Sequence, residues 1–234
     1  MNAIELGIEV EDEQVSGLLL RPAEARALYL LAHGAGAGMN HRSLAAAAEG
    51  LATRDIATLR YQFLYMQKGS KRPDPPRLAQ AVVRAAAAEA ARRAPDLPLF
   101  AGGRSFGGRM TSQAQAEAPL PGVRGLVFLG FPLHPAGKPG VSRAGHLTRV
   151  RVPMLFVSGT RDALAETALL RGVATDLGER ATLHLVDGAD HSFRVLARSG
   201  RSQAEVEAEV WDTAAEWIGV RAGGQPSGEG VQSR

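Results

Sequence analysis

Short apolar runs alternate with longer Ala-rich amphipathic stretches along most of the chain. The runs predict buried β-strands, because strands covered on both faces are almost continuously apolar. Repeated β-then-α order predicts an α/β fold with a mostly parallel central sheet and helices on both faces. Strands are predicted at residues 16–21, 27–32, 56–63, 99–103, 125–131, 154–159 and 181–186. Helices are predicted at residues 43–53, 77–93, from the turn at 103–107 to about 118, 165–177 and 203–218.

The chain of 234 residues has the length of one domain with one sizeable core, and we assign residues 1–220 to it. Residues 221–234 are mainly Gly, Ser, Gln and Pro with little apolar content, which predicts a disordered tail. The longest irregular stretch, residues 132–152, is too short for a separate lid domain.

Composition narrows the class of protein. Apolar residues make up 45% and charged residues 22%, which is typical of a globular protein. Absence of Cys excludes disulfides, thiolate metal sites and a Cys nucleophile. The net charge of +3 comes from scattered Arg, and the one dense basic run, residues 68–72, has no interleaved aromatics, so no nucleic-acid partner is expected. With neither a signal-peptide pattern nor a long apolar span, we expect a cytoplasmic protein without a membrane partner, and a homo-oligomer stays open.

The strongest local motif is Gly-Arg-Ser-Phe-Gly at residues 103–107, between a predicted strand and a predicted helix. In that context the pattern Gly-x-Ser-x-Gly is typical of a nucleophile elbow, a sharp turn that lifts the serine hydroxyl above the sheet. A Cβ at either flanking glycine would strike the neighbouring strand or helix. We therefore predict that Ser105 is a nucleophile; the alternative is an N-cap serine in a Gly-rich loop.

A serine hydroxyl needs a general base and a group that orients the base. His191 follows the last predicted strand, at the sheet edge where Ser105 is expected, and Asp162 follows the strand at residues 154–159. These three fall in the chain order nucleophile, acid, base. Asp187 and Asp190 are rival acids, but they share a loop with His191 and are poorly placed to orient it toward a distant serine.

The loop at residues 33–38, His-Gly-Ala-Gly-Ala-Gly, follows the first long buried strand. No Gly-Lys-Ser/Thr follows, so a phosphate-binding P-loop is excluded. An oxyanion loop fits better: the backbone amides of Ala35 and Phe106 would hold the oxygen that becomes negative during acyl transfer. His33 is then expected to be structural and to brace the loop.

The pocket beside the nucleophile is expected to be open and shallow. The residues expected to wall it, besides Phe106, are Met39, Asn40, Phe131 and His134. Small side chains around the oxyanion loop offer little apolar surface to a long acyl chain, so short substrates are favoured.

Taken together, His-Gly-Ala-Gly, Gly-x-Ser-x-Gly, Ser-Gly-Thr-Arg-Asp at residues 158–162 and Gly-Ala-Asp-His-Ser-Phe at 188–193 resemble the α/β-hydrolase superfamily. Within it, the chain resembles the branch of dienelactone-hydrolase-like proteins and the testis-expressed and NSL-complex hydrolase-like proteins. The resemblance spans residues 28–217 and implies an α/β-hydrolase fold. Dienelactone hydrolases proper carry a Cys nucleophile, which this chain lacks, so their substrate is not carried over.

The resemblance implies hydrolysis of a small carboxylic ester, thioester or amide through an acyl-enzyme. The residues support the same chemistry, since nucleophile, base, orienting acid and anion hole form a complete acyl-transfer set. No His, Asp or Glu cluster has metal-ligand spacing, so neither a metal nor an organic cofactor is expected. The alternative is a hydrolase-like scaffold that binds a protein partner without catalysis, because fold alone does not guarantee activity.

Overall fold

The central sheet has eight strands in the order β1-β2-β4-β3-β5-β6-β7-β8. A computed structural model describes residues 2–223, so residues 224–234 of the tail predicted at 221–234 lie outside the described residues. The strands are β1 Ile4–Val10, β2 Glu13–Leu20, β3 Ala27–Ala32, β4 Ile56–Tyr61, β5 Leu99–Arg104, β6 Val123–Leu129, β7 Met154–Gly159 and β8 Ala181–Val186. β1 and β2 are antiparallel to their neighbours, whereas the pairs from β4 to β8 are parallel.

Helices cover both faces of the sheet. They are α1 Arg42–Ala52, α2 Leu64–Gln67, α3 Pro76–Arg93, α4 Phe106–Glu117, α5 Thr167–Leu177 and α6 Gln203–Ala222, with short 3₁₀ turns at Gly145–Arg149, Gly178–Arg180 and Ala197–Ser199. One core lies between the sheet and α3, α4 and α5, and the other lies between the sheet and α1 and α6. The predicted mostly parallel sheet with helices on both faces is confirmed, and no separate lid is present among residues 2–223.

The inner strands form because their side chains are buried on both faces. All six residues of β3 are buried, with Leu28 and Leu30 in one core and Tyr29 and Leu31 in the other. The Tyr29 hydroxyl donates a hydrogen bond of 2.8 Å to the carbonyl of Val127, so its one polar atom does not stay unpaired in the core. β5 lies directly beside β3, which brings the elbow motif next to the loop at residues 33–38.

Several boundaries differ from the prediction. Neither β1, whose burial alternates along the strand, nor the short helix α2 was predicted. β4 ends at Tyr61 because Gln62 and Phe63 leave the sheet before α2 begins, and β6 ends at Leu129 because Gly130 turns with φ 73°. α6 continues to Ala222, beyond the domain boundary predicted at residue 220.

Candidate active site

The turn between β5 and α4 places Ser105 in a strained conformation. Its φ of 47° and ψ of −113° lie outside the regions that residues with a Cβ ordinarily occupy. A Cβ at Gly103 would come within 2.3 Å of the Ala32 carbonyl oxygen, and one at Gly107 within 2.5 Å of the His33 carbonyl oxygen. The two flanking glycines therefore let the turn approach the end of β3 at backbone distance, as the elbow motif predicts.

Three predicted side chains form one chain of hydrogen bonds. His191 Nε2 lies 2.9 Å from the Ser105 hydroxyl oxygen, and His191 Nδ1 lies 2.8 Å from Asp162 Oδ2. Each side chain comes from the carboxyl end of a different strand, β5, β7 or β8, as expected for a site on a parallel sheet. With Nδ1–H donating to the carboxylate, Nε2 is free to accept the serine proton.

Asp162 is held in place by its own loop. It is 4% exposed, and its Oδ1 accepts a hydrogen bond of 2.8 Å from the backbone amide of Leu164. This leaves Oδ2 directed at His191. The carboxylate therefore has a fixed orientation, in which one oxygen accepts from the backbone of its own loop and the other faces His191.

The rival acids make other contacts. Asp190 Oδ1 accepts the backbone amides of Ser192 and Arg194 at 2.8 and 2.9 Å, so it closes the turn that carries His191. Asp187 Oδ1 accepts from the Thr160 hydroxyl at 3.3 Å. Neither is hydrogen-bonded to the His191 ring in the described structure, whereas Asp162 is.

His33 braces the loop after β3. Its Nδ1–H donates 2.8 Å to the Gly34 carbonyl, and its Nε2 accepts the backbone amide of Phe63 at 3.1 Å. Because the Phe63 contact requires an unprotonated Nε2, the ring is neutral, and burial lowers the pKa of His33 to about 4. The contacts tie the loop to the segment after β4.

Tyr65 is a residue that the sequence analysis missed. Its hydroxyl accepts the backbone amide of Gly36 at 2.9 Å, and its ring lies 6.3 Å from that of Phe106. It therefore contacts both segments expected to supply the oxyanion amides. Ala35 is exposed in the same loop, and Phe106 opens α4, where an amide has no partner inside its own helix. Oxyanion binding by Ala35 and Phe106 stays a prediction.

The predicted pocket residues lie in different environments. Asn40 is exposed, while Met39 is 7% exposed, with its amide bonded to the Gln62 side chain. Phe131 and His134 are each 1% exposed. The Phe131 ring packs against Phe128 in the core, with 5.1 Å between the ring centroids. The role of these four side chains as pocket walls stays a prediction.

No group of three His, Cys, Asp or Glu side chains within residues 2–223 is arranged to hold a metal ion. Over the same range, no helix has the length and apolar content needed to cross a membrane. His184 pairs with Glu209 at 2.7 Å, and His146 lies 2.7 Å from the hydroxyl of buried Ser112.

The strand order, the elbow at the end of β5 and the lidless sheet edge define an α/β hydrolase fold. Solved structures share it over nearly their whole length. A dienelactone hydrolase from Anabaena variabilis is 22% identical, with a TM-score of 0.74, and 93% of this chain and 96% of that one are covered. An α/β serine hydrolase without a lid from Xanthomonas campestris is 18% identical, with a TM-score of 0.71 and coverage of 93% and 95%. Est1E from Butyrivibrio proteoclasticus with bound ferulic acid is 16% identical, with a TM-score of 0.70 and coverage of 91% and 99%.

Residues 25–219 match the model of a protein family described as an alpha/beta hydrolase domain. The match covers most of the chain and includes all three hydrogen-bonded side chains. The chain belongs to this family.

Proposed function

We propose that this protein is a serine hydrolase that cleaves a small carboxylic ester through an acyl-enzyme on Ser105. The observation that carries the proposal is the hydrogen-bonded chain from Ser105 through His191 to Asp162, with contacts of 2.9 and 2.8 Å. Thioesters and amides can react by the same steps, and an ester is the simplest of these three substrate types to assay.

In the proposed reaction, the Ser105 oxygen attacks the substrate carbonyl while His191 Nε2 takes the hydroxyl proton. The carbonyl oxygen becomes negative and accepts hydrogen bonds from the amides of Ala35 and Phe106. His191 then gives the proton to the leaving oxygen, the carbon–oxygen bond breaks, and the acyl group stays on Ser105. Water, deprotonated by the same imidazole, releases the acid and restores the serine.

Asp162 acts on the base rather than on the substrate. Its carboxylate fixes the Nδ1–H tautomer of His191 and stabilises the imidazolium that forms during attack. Burial of the carboxylate, which is 4% exposed, strengthens this interaction because water screens it little. The same geometry explains why Asp190, which closes the neighbouring turn, is assigned no catalytic role.

A fluorophosphonate tests the proposal without knowledge of the natural substrate. The reagent reacts with an activated serine and leaves a tetrahedral phosphorus that mimics the intermediate. We expect one equivalent of adduct on the peptide that contains Ser105, read by intact-protein and peptide mass spectrometry. Ser105→Ala should abolish the adduct, and His191→Ala should slow its formation strongly.

Ser112 supplies a matched control, since its hydroxyl also lies 2.7 Å from a histidine nitrogen but is buried away from the elbow. Ser112→Ala should leave labelling intact. If folded wild-type protein stays unmodified after prolonged exposure, the proposed machinery is not formed, and a hydrolase-like scaffold that binds a partner becomes the better explanation.

A further inference from the structure

A cleft of about 600 Å³ lies on the side of the site formed by the His191 loop. Its walls come from the start of α1, the segment after β8 and the start of α6, with Arg104 between them. Arg104 directly precedes Ser105, and Ser192 directly follows His191. Two residues of the lining are therefore chain neighbours of the proposed catalytic residues, although the cleft is built from side chains that the proposed reaction does not use.

Arg104 has few partners within the protein. Its guanidinium has five N–H donors, yet the one hydrogen bond seen among residues 2–223 is a long contact of 3.5 Å from Nη2 to the His191 carbonyl. The group also lies 5.4 Å from the centre of the Phe193 ring. No carboxylate in the described part of the chain is within ion-pair distance of it.

Partial burial makes this arrangement unfavourable. Arg104 is half-buried, and desolvation lowers its pKa, with the carboxylates of Asp190, Asp162 and Glu207 acting from a distance in the opposite direction. A partly desolvated charge without a close partner is stabilised by an anion bound beside it, so a guanidinium in this position suits a bound anion.

The other charges in the cleft add to its positive character. Arg42 and Arg194 are exposed at its rim, and neither forms an ion pair within residues 2–223. The one acidic side chain in the lining is Glu207, whose Oε1 accepts a hydrogen bond of 3.0 Å from Gln203. Three guanidinium groups thus share the lining with one carboxylate, so the net charge of the lining is positive and favours an anion.

We propose that this cleft binds a carboxylate on the leaving-group side of the substrate. This inference rests on the proposed function, because His191 protonates the leaving oxygen and the cleft begins at the His191 loop. A planar carboxylate matches the guanidinium fork of Arg104, and Arg194 adds a second cation from the rim. Ala46 and Val195 supply apolar lining between them, which suits an aromatic acid.

A matched substrate pair tests the proposal. The two substrates are 4-acetoxybenzoate and its uncharged methyl ester, which both release acetate and differ in the charge on the leaving group and in one methyl group. With kcat/KM divided by the rate of alkaline hydrolysis of each compound, wild type should prefer the anion by about tenfold or more, as expected for a charge-assisted contact.

The variants should change the preference for the anionic substrate in opposite directions, which a general loss of activity cannot do. Arg104→Gln and Arg194→Gln should bring the preference close to one, mainly by raising KM for the anion. Glu207→Gln should increase the preference. Arg171→Gln, an exposed arginine on α5, is the matched control and should change nothing. If Arg104→Gln fails to fold, Arg194→Gln and Glu207→Gln decide the result.

A binding measurement separates this inference from the proposed reaction. Calorimetric titration of the full chain with Ser105→Ala should show benzoate binding about tenfold or more tighter than benzamide, and Arg194→Gln should remove the difference. Benzoate binding without fluorophosphonate labelling of wild type would overturn the proposed reaction and keep the anion cleft. Labelling of Ser105 with equal affinity for benzoate and benzamide would overturn the cleft inference alone.

Discussion

Replacing Asp162 by Asn tests whether the two carboxylate oxygens have separate roles, one in holding the loop and the other in orienting His191. The Leu164 amide donates to Oδ1 at 2.8 Å, so in Asp162→Asn the amide oxygen must stay at that position to accept it. The NH₂ group then faces His191 Nδ1, where the native carboxylate accepts at 2.8 Å. Because NH₂ can only donate, His191 must carry its proton on Nε2, and it can no longer accept the proton of Ser105.

The expected loss in kcat is about three to four orders of magnitude, the size of effect that the wrong histidine tautomer produces in serine proteases. It corresponds to about 4–5.5 kcal/mol in the activation barrier. Because Asn has almost the shape of Asp, the fold should be retained. Hydrolysis of 4-nitrophenyl acetate gives kcat, and urea unfolding of the same samples checks stability.

Asp190→Asn is the matched control, since an Asn oxygen can still accept the amides of Ser192 and Arg194. It should lower kcat by less than about tenfold, as expected for a substitution that keeps its hydrogen bonds. The reasoning is refuted if Asp190→Asn is the inactive variant, or if Asp162→Asn keeps nearly full activity.

Three further outcomes are expected. In a series of 4-nitrophenyl esters, acetate or butyrate should be cleaved better than palmitate, and a maximum at about twelve carbons or more would contradict the prediction of an open, shallow pocket. Tyr65→Phe removes the acceptor of the Gly36 amide and should lower kcat by up to about tenfold with little change in KM; a change in KM alone would argue against a role for Tyr65 in oxyanion binding. His33 should make folding weaker in acid: its pKa is about 4 in the folded protein against 6.5 when unfolded, so about 3 kcal/mol present above pH 6.5 is lost as the pH falls toward 4. Urea unfolding at pH 7 and 4.5 should show this loss in wild type and a smaller one in His33→Gln, and equal losses would refute it.

The strands and helices could be predicted where the hydrophobic pattern is long and fits only one type of element. The bounds of β3 and β7 agree with their apolar runs, because a strand buried between two helical layers has few polar positions. β8 also has its predicted bounds, although it is an edge strand with mostly half-buried side chains. β1 was missed although Leu6, Ile8 and Val10 alternate with exposed residues, since an antiparallel edge strand gives a weaker signal than a buried one. Four-residue α2 is too short for its apolar pattern to show a helical period.

The candidate site also has residues that could be predicted from the sequence and residues that could not. The sequence predicted Ser105, Asp162 and His191 because each follows a strand and the chemistry requires those residue types in that order. Tyr65 and Arg104 carry no such signal. Tyr65 meets Gly36 from α2, 29 residues further along the chain, and the cleft around Arg104 combines helix starts from both halves of the sequence. Contacts of this kind depend on tertiary packing, which local patterns do not specify.

The glycines beside Ser105 have a consequence for how activity is lost under denaturing conditions. Where a Cβ at Gly103 or Gly107 would collide with the carbonyl of Ala32 or His33, the elbow and the end of β3 touch through main chain and the Ala32 methyl group. No side chain lies between them that could change rotamer and loosen the pair, so separating them requires parting two central strands of the sheet. Inactivation and global unfolding should therefore share one midpoint in urea. An enzyme whose reacting groups lie on a mobile lid would instead lose activity at lower denaturant, before its core opens.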